Sequence, residues 1–315
     1  MTILQQTLAD GLPEFEFKFD YPLADHAYFK LGGPAEAWLE LNQADDVIKL
    51  VKFCSQQQLK LTVLGGASNV VIADEGISGV VLKLTNSQVK EVEPGLIRAG
   101  AGVKTALLVS QTVALGYTGL EYFLGVPGTL GGAVYNNAHY LEDLISAHIQ
   151  RVQVITPQGE LNWLSHDECQ FGYDSSRFQK SGEIILAAEF RLERGTKEQS
   201  QALIKEATLY RAQTQPLGMP SSGCIFKNPP NTPALKKQFP QFQDRQFIPG
   251  GFLIDQAGLK GTRVGDLEVS EKHAAFMINH GQGTAADLKK LVKLVKNSVR
   301  EKFGVELQEE VFYLT

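Results

Sequence analysis

The chain has 315 residues, 43% of them hydrophobic and 21% charged, which is the composition of an ordinary globular protein with two or three subdomains. Its net charge is −5 and no run of Lys and Arg stands out, which argues against nucleic acid and anionic membranes as partners. The three cysteines, Cys54, Cys169 and Cys224, are too few and too widely spaced for a disulfide framework or a CxxC metal site. We therefore expect a reducing compartment and no metal.

The N-terminal residues 1–24 mix acidic, aromatic and proline residues without clear periodicity, and we interpret them as an extension. The first thirty residues lack the basic start and the continuous apolar stretch of a secretory signal. No segment approaches eighteen uninterrupted apolar residues, the length that a membrane-spanning helix needs. We expect a cytoplasmic protein that does not insert into membranes.

The apolar spacing of the remaining chain predicts alternating helices and strands. In chain order, they are a helix over 44–57, strands over 59–64 and 80–84, a helix over 105–115 ended by Gly116, a hairpin with strands around 152–154 and 161–163, a strand over 184–192, a solvated helix over 197–211, a helix that begins after the cap Thr284 and ends at Gly304, and a final strand over 310–314. This order of elements predicts an α+β fold.

A first polar turn directly follows the predicted strand 59–64. It consists of Gly65, Gly66, Ala67, Ser68 and Asn69. Consecutive backbone N–H groups in a glycine turn can bind an anion such as a diphosphate, and the Ser and Asn side chains add donors. The turn matches neither the dinucleotide fingerprint that opens a helix nor a P-loop, so an ordinary tight turn is the alternative.

A second glycine loop lies further along the chain. Its candidate ligand-binding residues are Val126, Pro127, Gly128, Thr129, Gly131 and Gly132. Such a run can approach a flat or phosphorylated cofactor with bare backbone. The alternative is a structural loop, but two glycine loops in one chain favour a dinucleotide.

Cys224 follows Gly223 in a polar, turn-rich stretch that also contains Ser222, Lys227 and Asn228. A thiol has a reference pKa of about 8.5, so at neutral pH it is mostly protonated and can donate a proton. The alternative is a small buried hydrophobic residue, which is the usual role of a free Cys. Near the C-terminus, Glu310 precedes apolar residues and could enter a core with its charge.

In their order along the chain, these motifs resemble the UDP-N-acetylenolpyruvoylglucosamine reductase (MurB) family. The resemblance rests on residues 30–35, 65–69, 119–121, 126–134, 171–173, 223–229, 253–261, 269–274 and 310–311. The short connector between Arg211 and Cys224 resembles the branch of the family that lacks a long tyrosine-bearing insertion.

The resemblance implies an NADPH-dependent enzyme that binds FAD non-covalently and reduces an enolpyruvyl sugar nucleotide in peptidoglycan precursor synthesis. Its fold would be a two-subdomain FAD-binding module of the vanillyl-alcohol oxidase type, followed by an α+β substrate domain. The corresponding segments are an extension over 1–24, FAD-binding subdomains over 25–88 and 89–200, and a substrate domain over 201–315. The only partner expected is the small-molecule substrate, and the protein is expected to be a monomer.

The resemblance also assigns residues. Cys224 occupies the position of the proton donor, where the family usually has Ser, and Glu310 matches the catalytic glutamate. The substrate-binding candidates are Tyr173, Lys227, Asn228 and Gln256.

Two stretches depart from the family pattern. The family usually has Arg where this chain has Asp174, and we expect Arg177, three residues on, to replace that catalytic cation. Residues 136–140 differ as well and place His139 beside the second glycine loop. Some oxidases of the superfamily attach flavin to His, so a flavin-dependent sugar or alcohol oxidase is one alternative. A UDP-sugar-binding protein without catalysis is the other.

Overall fold

The computed structural model describes residues 1–141 and 143–315. It divides into two compact units. The first unit contains residues 1–21, 35–66 and 78–210, and the second contains 22–34, 67–77 and 211–315. Two short segments from the N-terminal part of the chain therefore belong to the C-terminal unit, an arrangement that the continuous domain boundaries predicted from the sequence do not include.

Among the described residues, the α-helices are α1 (Ile3–Gly11), α2 (Ala44–Gln56), α3 (Thr105–Ala114), α4 (Leu130–Tyr135), α5 (Phe178–Ser181), α6 (Lys197–Thr214), α7 (Pro233–Gln238), α8 (Gly250–Gln256) and α9 (Ala285–Phe303). The strands are β1 (Lys18–Pro22), β2 (Pro34–Leu41), β3 (Leu61–Val63), β4 (Val70–Ile72), β5 (Ile77–Leu84), β6 (Val89–Glu93), β7 (Leu96–Gly100), β8 (Tyr117–Thr118), β9 (His139–Tyr140), β10 (Asp143–Leu144), β11 (Ile149–Ile155), β12 (Leu161–Ser165), β13 (Ile184–Arg191), β14 (Glu193–Arg194), β15 (Arg263–Val264), β16 (Leu267–Val269), β17 (Met277–Asn279) and β18 (Phe312–Leu314). Short 3-10 helices cover Glu121–Gly125, Ile145–His148, Asp167–Cys169 and Pro240–Phe242. This content confirms the predicted α+β class.

The first unit is built on two sheets. One has the strand order β1-β2-β5-β3, with β3 parallel to β5, and the other has the order β12-β11-β13-β7-β6, with antiparallel neighbours. The predicted hairpin is confirmed, since Val152 pairs with Leu164 and Val154 with Asn162. Strand β13 lies in the middle of its sheet, and all of its residues except Arg191 are buried. The predicted strand over 184–192 is therefore confirmed as a core strand.

The N-terminal segment contains more structure than the predicted extension. Helix α1 begins with a capping box, in which the Thr2 hydroxyl accepts from the Gln5 N–H and the Gln5 side chain accepts from the Thr2 N–H. Leu4 and Leu8 of this helix are buried in the core of the first unit. Only two core positions in nine residues are too few to produce a clear periodicity in the sequence.

The second unit packs around the long helix α9. Its predicted start is confirmed, because the Thr284 hydroxyl accepts from the Asp287 N–H at 3.0 Å. The sequence did not reveal a second cap, the Asp74 carboxylate, which accepts from the Ala285 N–H at 2.7 Å. The predicted apolar face is buried, and Gly304 ends the helix with a φ of +67°.

The last strand, β18, pairs in parallel with β4, so that Phe312 lies opposite Val70 and Leu314 opposite Ile72. The predicted strand over 310–314 is thus confirmed over its last three residues. In the described parts of the chain, none of the helices is both long and apolar enough to cross a bilayer.

Candidate active site

The two glycine loops meet in the first unit. A Cβ atom added to Gly66 would collide with the backbone of Gly128, and one added to Gly65 would lie 2.8 Å from the Thr129 hydroxyl. Gly128 has a φ of +105°, a conformation that side-chain-bearing residues rarely adopt. The structure therefore brings together two motifs that lie about sixty residues apart in sequence, and glycine is required where their backbones touch.

Backbone hydrogen bonds hold the second loop in place. The Leu130 N–H donates to the Val103 carbonyl at 2.8 Å, and the Gly131 N–H donates to the Ala101 carbonyl at 2.8 Å. Ala101 directly follows strand β7, so these bonds fasten the loop to the five-stranded sheet. The loop is therefore positioned by a rigid element rather than by its own residues.

A lysine contributes positive charge beside the loops. The Lys83 ammonium on β5 donates to the Gly65 carbonyl. Burial lowers the pKa of Lys83, the Glu40 carboxylate opposes this change, and the nearby Lys104 ammonium reinforces it. Bare backbone and nearby cations suit the diphosphate of a nucleotide cofactor. No group of His, Cys, Asp or Glu side chains suited to a metal ion occurs in the described part of the chain.

The rest of the first predicted loop, from Ala67 to Asn69, belongs to the second unit. The Asn69 side-chain amide donates to the Glu310 carbonyl at 3.3 Å, and the Asn69 carbonyl accepts from the Phe312 N–H at 3.1 Å. Asn69 therefore holds the backbone of the predicted catalytic glutamate in place, a role that sequence analysis did not identify. Its predicted contact with a cofactor stays a prediction.

Cys224 and Glu310 lie on neighbouring chain segments of the second unit. The Glu310 N–H donates to the Ile225 carbonyl at 2.8 Å, and the Ile225 N–H donates to the Ala275 carbonyl at 2.9 Å. The segment that carries Cys224 therefore has backbone partners on both sides, because Cys224 pairs with Phe276 and Phe226 pairs with Glu309 near the C-terminus. Sequence analysis predicted both residues as site residues, but only the structure shows that the segments carrying them are hydrogen-bonded to each other.

Cys224 is the most accessible of the three cysteines. It is partly exposed, whereas Cys54 and Cys169 are buried. Burial raises the pKa of Cys54 to about 11 and that of Cys169 to about 12, so both thiols are unreactive at neutral pH. Gly223, just before Cys224, has a φ of +80° and open space where a Cβ atom would be. The thiol therefore lies where a ligand can reach it.

The predicted substrate-binding residues of the second unit have different surroundings. The Lys227 N–H donates to the Gln308 carbonyl at 2.9 Å, next to the segment of Glu310. The Asn228 side-chain oxygen accepts from the Gly250 N–H at 2.9 Å, at the start of α8. Gln256 is exposed at the other end of α8. The structure thus brings Lys227 close to the chain segment of the predicted acids, while the substrate contacts of all three residues stay predictions.

Arg177 is already occupied by other groups. Its Nε and Nη2 atoms donate to the Glu183 carboxylate at 3.0 and 3.1 Å, and its Nη1 atom donates to the Glu168 carbonyl at 3.1 Å. Such a two-pronged pair with a carboxylate is rigid and strong. This geometry gives Arg177 a structural role, and its catalytic role stays a prediction.

Asp174 has a different partner. Its carboxylate lies within ion-pairing distance of His139, at 3.1 Å between Oδ1 and Nδ1, and the ring of Tyr173 lies 5.2 Å from the imidazole. Sequence analysis singled out each of the three residues but did not connect them.

Two protein-family models match the chain, one in its N-terminal half and one in its C-terminal third. Residues 35–165 match the model of an FAD binding domain, and residues 215–314 match the C-terminal domain of UDP-N-acetylenolpyruvoylglucosamine reductase.

Relatives cover the whole chain. UDP-N-acetylenolpyruvoylglucosamine reductase 2 of Bacillus anthracis is 37% identical over 313 residues, which are 99% of this chain and 97% of the relative. The reductase of Limosilactobacillus fermentum is 37% identical over 307 residues, 97% of each chain. Among solved structures, UDP-N-acetylenolpyruvylglucosamine reductase (MurB) from Thermus caldophilus matches with a TM-score of 0.76 and 29% identity, over 96% of this chain and 99% of the other.

Proposed function

Because this chain belongs to the UDP-N-acetylenolpyruvoylglucosamine reductase family, we propose that it reduces the enolpyruvyl group of UDP-N-acetylglucosamine enolpyruvate with Cys224 as the proton donor. The product is UDP-N-acetylmuramate, a precursor of peptidoglycan. The chain is a flavin-dependent oxidoreductase, and its cofactors are FAD and NADPH. The observation that carries the assignment of Cys224 is its partly exposed thiol on a segment that is hydrogen-bonded to the backbone of Glu310.

The first unit has the features that an FAD diphosphate needs. Gly65, Gly66 and Gly128 offer backbone without side chains, and the Thr129 hydroxyl lies beside Gly65. Lys83 supplies positive charge next to them. We propose that these residues, together with the others predicted in the two loops, hold the cofactor within the predicted subdomains 25–88 and 89–200. A bound FAD would supply the hydride chemistry that links NADPH to C3 of the enolpyruvyl group.

Hydride addition at C3 leaves negative charge on C2 and on the neighbouring carboxylate, and this charge must be stabilised and then neutralised by a proton. A Cys thiol has a reference pKa of about 8.5 and is therefore mostly protonated at neutral pH, ready to donate to C2. The Glu310 carboxyl, whose backbone is held by Ile225 and Asn69, is proposed to polarise the intermediate.

The two half-reactions can be measured separately by stopped-flow absorbance of the flavin. A general acid typically contributes about a hundred- to ten-thousand-fold. Cys224→Ala should therefore slow reoxidation by the enolpyruvyl substrate by about that factor and leave bleaching by NADPH near normal. Cys224→Ser should keep appreciable activity, because its hydroxyl can also donate a proton.

The control variant is Cys54→Ala, which removes a thiol from the core of the first unit and should leave both half-reactions unchanged. Full reoxidation rates in Cys224→Ala would show that the thiol is not the proton donor. A protein that binds no FAD, or is not bleached by NADPH, would overturn the function as a whole.

We further propose that the protein acts in the cytoplasm as a monomer, without nucleic-acid or membrane partners. The net charge of −5 and the free cysteines support this proposal. Light scattering coupled to gel filtration tests the oligomeric state, since a mass of 34.6 kDa is expected for the chain.

A further inference from the structure

His139 and Asp174 form an unusual pair in the first unit. The Asp174 side chain is 1% exposed and the His139 side chain is 24% exposed, with 3.1 Å between Oδ1 and Nδ1. A buried carboxylate is costly unless it is paired with a positive charge or hydrogen-bonded. Asp174 therefore favours the protonated, positively charged form of an imidazole that reaches solvent.

The surrounding backbone is built to hold this pair. Asp174 has a φ of +47°, a left-handed conformation that costs free energy for a residue with a side chain. The buried Asn137 joins the segment of His139 to that of Asp174, because its side-chain amide donates to the Gly172 carbonyl at 2.8 Å. Its side-chain oxygen accepts from the Ser146 N–H at 3.2 Å. Strained residues held by their surroundings are frequent at functional sites.

Tyr173 adds a second feature that favours a cation. Its ring centroid lies 5.2 Å from that of His139, at an interplanar angle of 39°, and 40% of the residue is exposed. The face of an aromatic ring attracts a cation at such a distance. The imidazole thus has a buried negative charge on one side and an aromatic ring on another, in a part of the surface that a ligand can reach.

The pair lies next to the proposed cofactor loop. Helix α4 starts in the second glycine loop, and the Ala138 N–H donates to the Ala133 carbonyl of that helix at 2.8 Å, just before His139. The two stretches in which the sequence departs from the family pattern, 136–140 and 173–174, are in contact through this ion pair.

Two other cations of the first unit already have partners. Arg177 is held by Glu183, and Lys83 donates to the Gly65 carbonyl. We propose that His139, paired with Asp174, binds the carboxylate of the enolpyruvyl substrate. This inference rests on the proposed function, in which negative charge develops on that carboxylate, and a fixed cation there stabilises the charge.

The test compares two ligands that differ in the carboxylate. UDP-N-acetylmuramate carries one and UDP-N-acetylglucosamine does not, and both can be titrated into the FAD-loaded protein by calorimetry. His139→Gln should weaken binding of UDP-N-acetylmuramate by about ten- to a hundred-fold, the usual value of a hydrogen bond to a charged group. Binding of UDP-N-acetylglucosamine should change by less than about two-fold, since it lacks the group that is bound.

Asp174→Asn keeps the shape of the buried side chain and removes its charge, so it should weaken the same ligand selectively and in the same direction. The matched control is His166→Gln, in which the histidine also lies beside an aspartate, Asp167, but is 47% exposed. The control should bind both ligands as the wild type does. Equal weakening of both ligands, or no weakening in either variant, would overturn the inference.

Flavin reoxidation in the wild type distinguishes a failure of this inference from a failure of the proposed function. If the enolpyruvyl substrate reoxidises the reduced flavin of the wild type, the function stands, and the ligand comparison alone decides the role of His139. If the substrate does not reoxidise it, the proposed function fails and the inference fails with it.

Discussion

Glu189 of strand β13 offers a direct test of what stabilises the five-stranded sheet of the first unit. Its side chain is completely buried, and its carboxylate accepts from Arg151 Nε at 2.6 Å and from Arg98 Nε at 2.8 Å. Both arginines lie on neighbouring strands, directly opposite Glu189. Their guanidinium groups lie 4.4 and 5.0 Å from the ring of Trp163. The cluster therefore joins four strands of the sheet that fastens the second glycine loop.

Glu189→Gln removes the charge and keeps the shape. Removing one partner of a buried ion pair costs about 3–5 kcal/mol. The two arginines are 34% and 41% exposed, so water can solvate them in the variant, and we expect a smaller loss. A loss of about 2–3 kcal/mol in the free energy of unfolding corresponds to a decrease in Tm of roughly 4–12 °C.

The loss is measured by thermal and urea unfolding, followed by circular dichroism at equal FAD saturation. The control is Glu160→Gln, at an exposed position in the turn of the hairpin β11–β12, which should change the stability by no more than about 0.5 kcal/mol. A Glu189→Gln variant as stable as this control would refute the view that the cluster stabilises the sheet.

The same cluster predicts a pH dependence. Burial alone would raise the pKa of Glu189, but the hydrogen bonds and charges of Arg151 and Arg98 outweigh it and lower the pKa. A carboxyl whose pKa is lowered by folding stabilises the protein above its unfolded-state pKa, about 4.3, and loses this effect as the pH falls through the folded value. The stability difference between wild type and Glu189→Gln should therefore be constant from about pH 6 to 8 and shrink below about pH 4.

Two further predictions concern the site. Gly66→Ala should lower the amount of FAD that copurifies, because the added Cβ atom would collide with Gly128. The flavin absorbance per mole of protein measures the bound FAD. Undiminished FAD would show that the contact between the two glycine loops is not needed for cofactor binding. In the native protein at about pH 7.5, a thiol reagent should modify Cys224 alone and inactivate the enzyme. After denaturation all three thiols should react, and mass spectrometry counts the modified residues. Rapid modification of Cys54 or Cys169 in the native state would contradict their burial.

Features that depend on neighbouring residues were predictable from the sequence. Helix α9 is one example, because its cap Thr284, its apolar face and its terminal Gly304 all lie within one continuous stretch. The hairpin β11–β12 is another, since alternating side chains and a turn residue specify it locally. The two glycine loops and Cys224 were found in the same way, as residue types whose chemistry is evident without knowing their neighbours.

Contacts between distant segments could not be predicted in this way. The collision partner of Gly66 lies sixty-two positions further on, at Gly128, and β4 pairs with the end of the chain. The ion pair between Arg177 and Glu183 and the proximity of His139 to Asp174 were likewise visible only in the structure. Local patterns specify helices, turns and candidate groups, because they depend on backbone geometry over a few residues. The pairing of charged side chains depends on the packing of distant segments, which local patterns do not specify. Burial and pairing then determine whether a charge is neutralised or available to a ligand.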